Sequence, residues 1–169
     1  MSFPIRPYLP ADAAALADIF REAIWILAEE DYSEDQRAAW IGTVEDEEAF
    51  AERLARQLTI VALDAGEPAA FISLRDNNLI DLLYVHPGFA REGAASILMD
   101  AAIKIAQARG VHEMSAEVSD NARGFFEKFG FTGEQRNMVM RDDEFLANTT
   151  MRRKLTPSAA GAPGSSAKN

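Results

Sequence analysis

The sequence predicts a mixed α/β (α+β) fold, a mixed sheet with helices packed on it. Three observations carry that expectation. Runs rich in strand formers follow one another closely between residues 58 and 85, separated by short turn-forming stretches. Amphipathic helical segments precede them, and further helices and strands follow. The resulting order is strand, helices, three strands, helix, strand, helix, two strands. That order does not suit a regular doubly wound sheet.

Each element has its own reason. "IRPY" near the start reads as a short strand that stops at Pro10. Leu16, Ile19, Phe20, Ala23, Ile24 and Leu27 recur at helical spacing and form one core stripe. "YSEDQRAAW" opens a second helix, with Ser33 as N-cap and Glu34 and Asp35 in the first turn. "EDEEAFAERLARQ" is a third, acidic early and carrying Arg53 and Arg56 late, as the helix dipole favours.

Strands are expected at 58–63, 68–75 and 78–85, with "DAGE" and "DNN" as hairpin turns. A long helix over about 91–109 sets Ile97, Leu98, Ala101 and Ile105 on one face and closes at Gly110. "HEMSAEVS" alternates as a half-buried strand should, with Met114, Ala116 and Val118 opposite Glu113, Ser115 and Glu117. "DNARGFFEKFG" is a short helix capped by Asp120 and stopped by Gly130. Strands at 133–140 and 145–154 flank the turn "RDDE". Residues 1–155 are expected to form a single domain, and the small, polar "TPSAAGAPGSSAKN" (156–169) a flexible C-terminal tail.

Composition narrows the function classes. The chain has 169 residues, of which 48% are hydrophobic and 26% charged, which is enough for one substantial core. No apolar run approaches a membrane span and the N-terminus lacks a signal-peptide profile, so a cytoplasmic location is expected. The sequence has no cysteine, and its two histidines, His86 and His112, suggest no metal cluster. His86, just before Pro87, reads as a surface turn residue. A net charge of −10 argues against nucleic acid as partner. It favours a cationic small molecule such as an amine, or serves solubility alone.

The stretch "YVHPGFAREGAAS" (84–96) carries the candidate site. A strand ends, a Pro-Gly turn follows, and a helix starts with small residues. The first amides of a helix lack partners and sit at the positive end of its dipole. Such a junction can hold phosphate oxygens, although small residues also let a helix pack closely on a sheet. Neither a Gly-Lys-Ser/Thr loop nor a G-x-G-x-x-G follows the strand, which disfavours P-loop and dinucleotide-binding units.

"LLYVHPGFAREGAASILMDAAIKIAQARG", followed by "AEVSDNARGFFEKFGF", resembles the GNAT superfamily of acyl-CoA-dependent N-acyltransferases. "IRPYLPADAAALADIF" and "NTTMRRKL" look like that family's first strand and helix and its last strand, so the resemblance covers residues 3 to 155. "YSEDQRAAW" and "LANTTM" point to a subgroup of small bacterial acetyltransferases. The resemblance implies a twisted, mostly antiparallel sheet splayed between strands 4 and 5. It also implies acetyl-CoA as co-substrate, with no metal.

In the family's Gln/Arg-x-x-Gly-x-Gly/Ala loop, the pattern falls on Ala90, Arg91, Glu92, Gly93, Ala94 and Ala95. Gly93 and Ala95 match and Ala90 departs. Backbone amides of residues 91 to 96, Ser96 included, would then hold the coenzyme A pyrophosphate. Leu83 and Val85, flanking Tyr84, would pair with the pantetheine arm, and Ala122, Phe125 and Phe126 would line its end.

The family's general-acid tyrosine position holds Phe126, which has no proton to give. Ser119 is the first substitute; Tyr84 is a second, although alternation places it opposite Asp81 and Leu83. Water is a further proton source for the thiolate. Asp81 interrupts an apolar strand and needs a partner or a cavity. It would serve as base or cation binder, or form a salt bridge to Arg75 or Arg136. Glu117 is a further base candidate. Trp25, Tyr32, Trp40 and Phe50 would wall the acceptor pocket or pack in the core. The reading is acetyl transfer to a primary amine of a small molecule, in a monomer or homodimer. Its rivals are an acyl-CoA sensor without turnover and a peptide or protein N-acetyltransferase.

Overall fold

The computed structural model describes residues 2–157. The tail expected over 156–169 lies outside the described residues from 158 on. The strands are β1 (Ile5–Pro7), β2 (Leu58–Asp64), β3 (Glu67–Arg75), β4 (Leu79–Val85), β5 (Glu113–Ser119), β6 (Thr132–Arg141) and β7 (Glu144–Lys154). The helices are α1 (Ala13–Glu22), α2 (Glu34–Ile41), α3 (Glu47–Arg56), α4 (Ala94–Ala108) and α5 (Arg123–Lys128).

The strands form one sheet in the order β1-β2-β3-β4-β5-β7-β6. Every neighbouring pair is antiparallel except β4 and β5, which are parallel. The mixed sheet with flanking helices is as the sequence predicts. Among the described residues no helix is long and apolar enough to cross a membrane.

Local chemistry sets the hairpins. Ala65 and Gly66 between β2 and β3 have φ of 49° and 83°, and Asp76 and Asn77 between β3 and β4 have 53° and 65°. Paired left-handed residues match the twist of a tight hairpin, and glycine, Asn and Asp reach that conformation at least cost. Each face of the sheet carries its own core. Ile72, Leu74, Ile80, Leu98, Met99 and Met114 pack on the α4 side. Leu16, Phe20, Phe50, Leu54, Phe71 and Leu82 pack on the α1 and α3 side. Each such side chain contributes roughly 1.5–3 kcal/mol when fully buried.

Two irregularities depart from the sequence expectation. The first helix stays α-helical only to Glu22 and continues as a π turn over Ala23–Leu27. A π turn carries extra residue length, so the apolar stripe slips out of phase beyond it. Ile24 is buried, whereas Trp25, Ile26 and Leu27 are exposed. The second is a bulge in β4: Leu82 opposes Ser73 and Ile80 opposes Leu74, which leaves Asp81 as the extra residue. A bulge resets the alternation of faces. Accordingly Leu82 and Tyr84 pack on the α1 side, whereas Ile80, Leu83 and Val85 pack on the α4 side.

The segment before α2 is fastened to the sheet by Tyr32, which is 4% exposed. Its hydroxyl donates to the Ala147 carbonyl at 2.5 Å and accepts from the Asp120 N–H at 2.9 Å. Tyr32→Phe leaves both backbone groups without that partner. Urea unfolding should show a loss of about 1–3 kcal/mol; an unchanged midpoint would mean that water replaces both bonds.

Candidate functional site

The ladder between β4 and β5 lasts for two pairs, Leu79–Ser115 and Ile80–Ala116. Beyond them the strands part. The His86 N–H donates to the Ala69 carbonyl at 2.9 Å, so position 86 faces β3. With a period of two, Tyr84 and Leu82 also face β3, and the N–H and C=O groups of Leu83 and Val85 face the gap.

Two cavities open at this gap. The larger, about 320 Å³, runs along Leu83 and Val85 to Ala90, Arg91 and Ala95, and past Ala122, Phe125 and Phe126. Ala23, Ile24 and Leu27 of the π turn form its opposite wall. The smaller, about 250 Å³, lies among Phe20, Tyr32, Thr43, Arg53, Arg141 and Leu146. Trp40, Asp81, Tyr84, Glu117 and Ser119 line both and form the wall where the cavities meet.

The loop entering α4 explains the small residues there. Arg91 and Gly93 have φ of 64° and 98°, so the helix begins at Ala94, three residues later than the sequence suggests. A Cβ on Gly93 would meet nothing within 4 Å. The glycine thus serves a left-handed backbone and leaves open space above it. The first helical bond runs from the Ile97 N–H to the Gly93 carbonyl at 3.1 Å, so the amides of Ala94, Ala95 and Ser96 precede it. Arg91 and Glu92 are exposed, and Ala94 is buried against the core. Glu92, Gly93, Ala94 and Ser96 lie outside the lining of the larger cavity.

Asp81 is paired, but with neither of the arginines the sequence suggested. Arg53 of α3 donates from Nε to Oδ2 at 2.8 Å and from Nη2 to Oδ1 at 3.0 Å, and Gln57 Nε2 donates to Oδ2 at 2.8 Å. Arg136 instead grips Asp120 with bonds of 2.5 and 2.9 Å. Asp120 is therefore no side-chain cap of the short helix. Burial by itself pushes the Asp81 carboxyl up. The bonds from Arg53 and Gln57, with the charges of Arg53 and Arg75, outweigh it and hold the group below the usual carboxylate range. Because of the bulge, Asp81 reaches α3 and shares that side with Leu82 and Tyr84, which corrects the alternation that set it beside Leu83.

The other polar groups differ in their freedom. Glu117 Oε2 accepts from Thr150 Oγ1 at 2.5 Å and Asn137 Nδ2 at 3.2 Å, and Oε1 has no hydrogen bond among the described residues. The Ser119 side chain makes no capping bond and faces both cavities. Tyr84 sits against Phe20, Phe71 and Trp40, with ring centroids 4.7, 5.9 and 6.5 Å away. Burial pushes its phenol well above its ordinary value, with Trp40 and Arg53 opposing.

Phe126 is 4% exposed and packs on Phe131 at 5.2 Å. Tyr32 and Trp40 line the smaller cavity. Trp25 lines neither cavity; the π turn sends it outward, where the Arg37 guanidinium stacks 4.5 Å from its ring. Phe50 is core. Arg53, Gln57 and Arg141 were missed as site residues: the two arginines read as ordinary helix-end and turn charges. The signal for a partner was Asp81 itself, a carboxylate in an apolar strand.

A groove along an open strand edge, ending at a helix start and meeting a second pocket, offers two ligands adjoining places, the arrangement that group transfer requires. The chain matches the model of the acetyltransferase (GNAT) domain over residues 28–154 and belongs to that family, the acetyl-CoA-dependent acyltransferases. It is 35% identical over 150 residues to the uncharacterized N-acetyltransferase YafP of Escherichia coli K12, covering 89% of this chain and 95% of that protein. A GCN5-related N-acetyltransferase structure from Rhodopseudomonas palustris is 45% identical with a TM-score of 0.89, covering 92% of this chain and 97% of that one. The PaiA N-acetyltransferase of Thermoplasma acidophilum, solved with coenzyme A, is 23% identical with a TM-score of 0.75 over 92% and 100% of the chains. That last likeness concerns the fold.

Asp81→Asn tests the ion pair. The folded carboxyl titrates below its unfolded value, so its contribution is full above about pH 4 and fades as pH falls. The variant should lose about 1–2 kcal/mol near neutrality, allowing for the solvent reach of Arg53. In urea melts from pH 7 to pH 2.5 the gap to wild type should narrow below about pH 4. A gap constant across that range would contradict the pairing.

Proposed function

We propose that this acyltransferase moves an acetyl group from acetyl-CoA to the primary amine of a small molecule, with both held at the wall shared by the two cavities. The meeting of the cavities at Trp40, Asp81, Tyr84, Glu117 and Ser119 is the observation that carries the reading.

The residues present suit the coenzyme. Leu83 and Val85 offer an open backbone edge for the pantetheine arm, and Ala122, Phe125 and Phe126 give its end an apolar wall. The loop from Arg91 to Ser96 offers unpaired amides and open space at Gly93 for the pyrophosphate. Acetyl-CoA, when bound, supplies the thioester whose acetyl group leaves sulfur for nitrogen.

The chain's own groups divide the remaining work. A Leu83 or Val85 N–H facing the gap stabilises negative charge on the acetyl oxygen. Glu117 Oε1 accepts the proton of the amine, directly or through one water. Asp81, both of whose oxygens are engaged, holds Arg53 in place in preference to acting as base. Tyr84 keeps its proton throughout the neutral range and is a donor for the departing sulfur, with Ser119 Oγ as the second. The bulge supports Tyr84 more strongly than plain alternation does.

Isothermal titration tests the first half. Acetyl-CoA should bind the wild type and fail to bind Gly93→Glu, whose carboxylate would occupy the phosphate position. Absence of binding to the wild type would remove the coenzyme reading. Thiol release with an amine panel tests the second half. Glu117→Gln should lower kcat by about 10²–10⁴-fold while retaining acetyl-CoA binding. Acetyl-CoA binding without turnover of any amine would favour the sensor, and turnover of peptides alone would favour a peptide acceptor.

A further inference from the structure

The net charge of the chain points to a cationic acceptor, but the charges that face the acceptor cavity are arranged differently. At the wall shared with the larger cavity stand both lining carboxylates, Asp81 and Glu117. The lining that belongs to the smaller cavity alone has two charged residues, Arg53 and Arg141, and no carboxylate. Arg53 neutralises Asp81 through Nε and Nη2, and its Nη1 makes no hydrogen bond among the described residues. Arg141, an exposed residue, donates from Nη1 to the neighbouring Met140 carbonyl at 3.1 Å and takes part in none of the ion pairs among the described residues. Asp142, next along the turn, is directed toward Gly42 and does not line the cavity.

With Asp81 and Arg53 paired, the charges left uncompensated are Glu117 at the shared wall and Arg141 away from it. A polycation would place its second charge beside Arg141, at a cost in both Coulomb energy and desolvation. An amine that also carries a carboxylate satisfies both ends. Its nitrogen lies at Glu117, and its carboxylate takes the planar donors of Arg141 and the free edge of Arg53. Phe20, Tyr32, Trp40 and Leu146 are among the walls of this cavity of about 250 Å³. Those four give an apolar or aromatic group one wall to lie on, beside the polar Thr43, Ser119 and Asn148.

Resting on the acetyl-transfer reading above, we infer that the acceptor is a small amine bearing a carboxylate, such as an apolar α-amino acid. It is not a polyamine. In the transfer the neutral amine nitrogen forms the new bond to the acetyl carbon and its proton passes to Glu117. The carbon–sulfur bond breaks with its electron pair on sulfur, which leaves as the coenzyme A thiolate hydrogen-bonded by Tyr84. The carboxylate at Arg141 takes no part beyond orientation.

The experiment compares kcat/KM for leucine and phenylalanine with their amides, with phenethylamine and with spermidine, in the wild type and in Arg141→Gln and Arg141→Glu. Acetyl-CoA binding is measured on the same samples. In the wild type the carboxylated amines should exceed their uncharged counterparts, and spermidine, by about 10-fold or more. The ratio of phenylalanine to phenethylamine should fall about 10-fold in Arg141→Gln and invert in Arg141→Glu, chiefly through KM. If acetyl-CoA binds and the carboxylated amines are acetylated no better than the others, or not at all, the inference is overturned while the coenzyme reading stands. A ratio indifferent to Arg141 also overturns it. If acetyl-CoA fails to bind the wild type, the underlying reading fails and the inference with it.

Discussion

Leu79–Ser115 and Ile80–Ala116 are the whole of the ladder between β4 and β5, and the site depends on its ending there. A strand that loses its neighbour exposes backbone donors and acceptors, each costing about 1–3 kcal/mol if buried without a partner. The open stretch must meet water or a ligand. Each strand is meanwhile held from its other side, β4 by six aligned pairs with β3 and β5 by seven with β7. The gap is therefore a fixed feature of the sheet, and a polar edge is kept ready along Leu83 and Val85.

The bulge at Asp81 decides which side chains look into that gap. It turns the carboxylate toward α3, where Arg53 and Gln57 take up both oxygens, and leaves Tyr84 at the junction of the cavities. Aromatic rings continue from there. Tyr84 lies 6.5 Å from Trp40, and Trp40 5.3 Å from Tyr32, whose hydroxyl ties the segment before α2 to β7 and to the turn after β5. The wall of the smaller cavity is thus held by the same contacts that anchor the N-terminal helices. In the proposed reading, local charge and not the chain's total of −10 selects the acceptor.

Most of the fold was legible because its elements announce themselves locally. Ser33 does cap α2, accepting from the Gln36 N–H, and Gly130 stops α5 with a φ of 84°. The hairpin turns at Ala65-Gly66 and Asp76-Asn77 sit where "DAGE" and "DNN" place them. What was not legible depends on register and on distant chain. No residue pattern marks the extra position at Asp81, so plain alternation set Tyr84 on the wrong side of it. The π turn is equally silent: Leu27 fits the helical stripe by spacing and is 37% exposed in the fold. Arg53 and Arg141 lie far apart in sequence and acquire meaning only where the topology brings them to one cavity.

Amide hydrogen exchange at single-residue resolution tests the open edge most directly. In the protein alone, the Leu83 and Val85 amides should exchange far faster than those of Leu82 and Tyr84, which pair with β3. Saturating coenzyme A should slow Leu83 and Val85 by about 10-fold or more and leave Leu82 and Tyr84 little changed. Equal protection of all four amides without ligand, or no response of Leu83 and Val85 to it, would contradict the account.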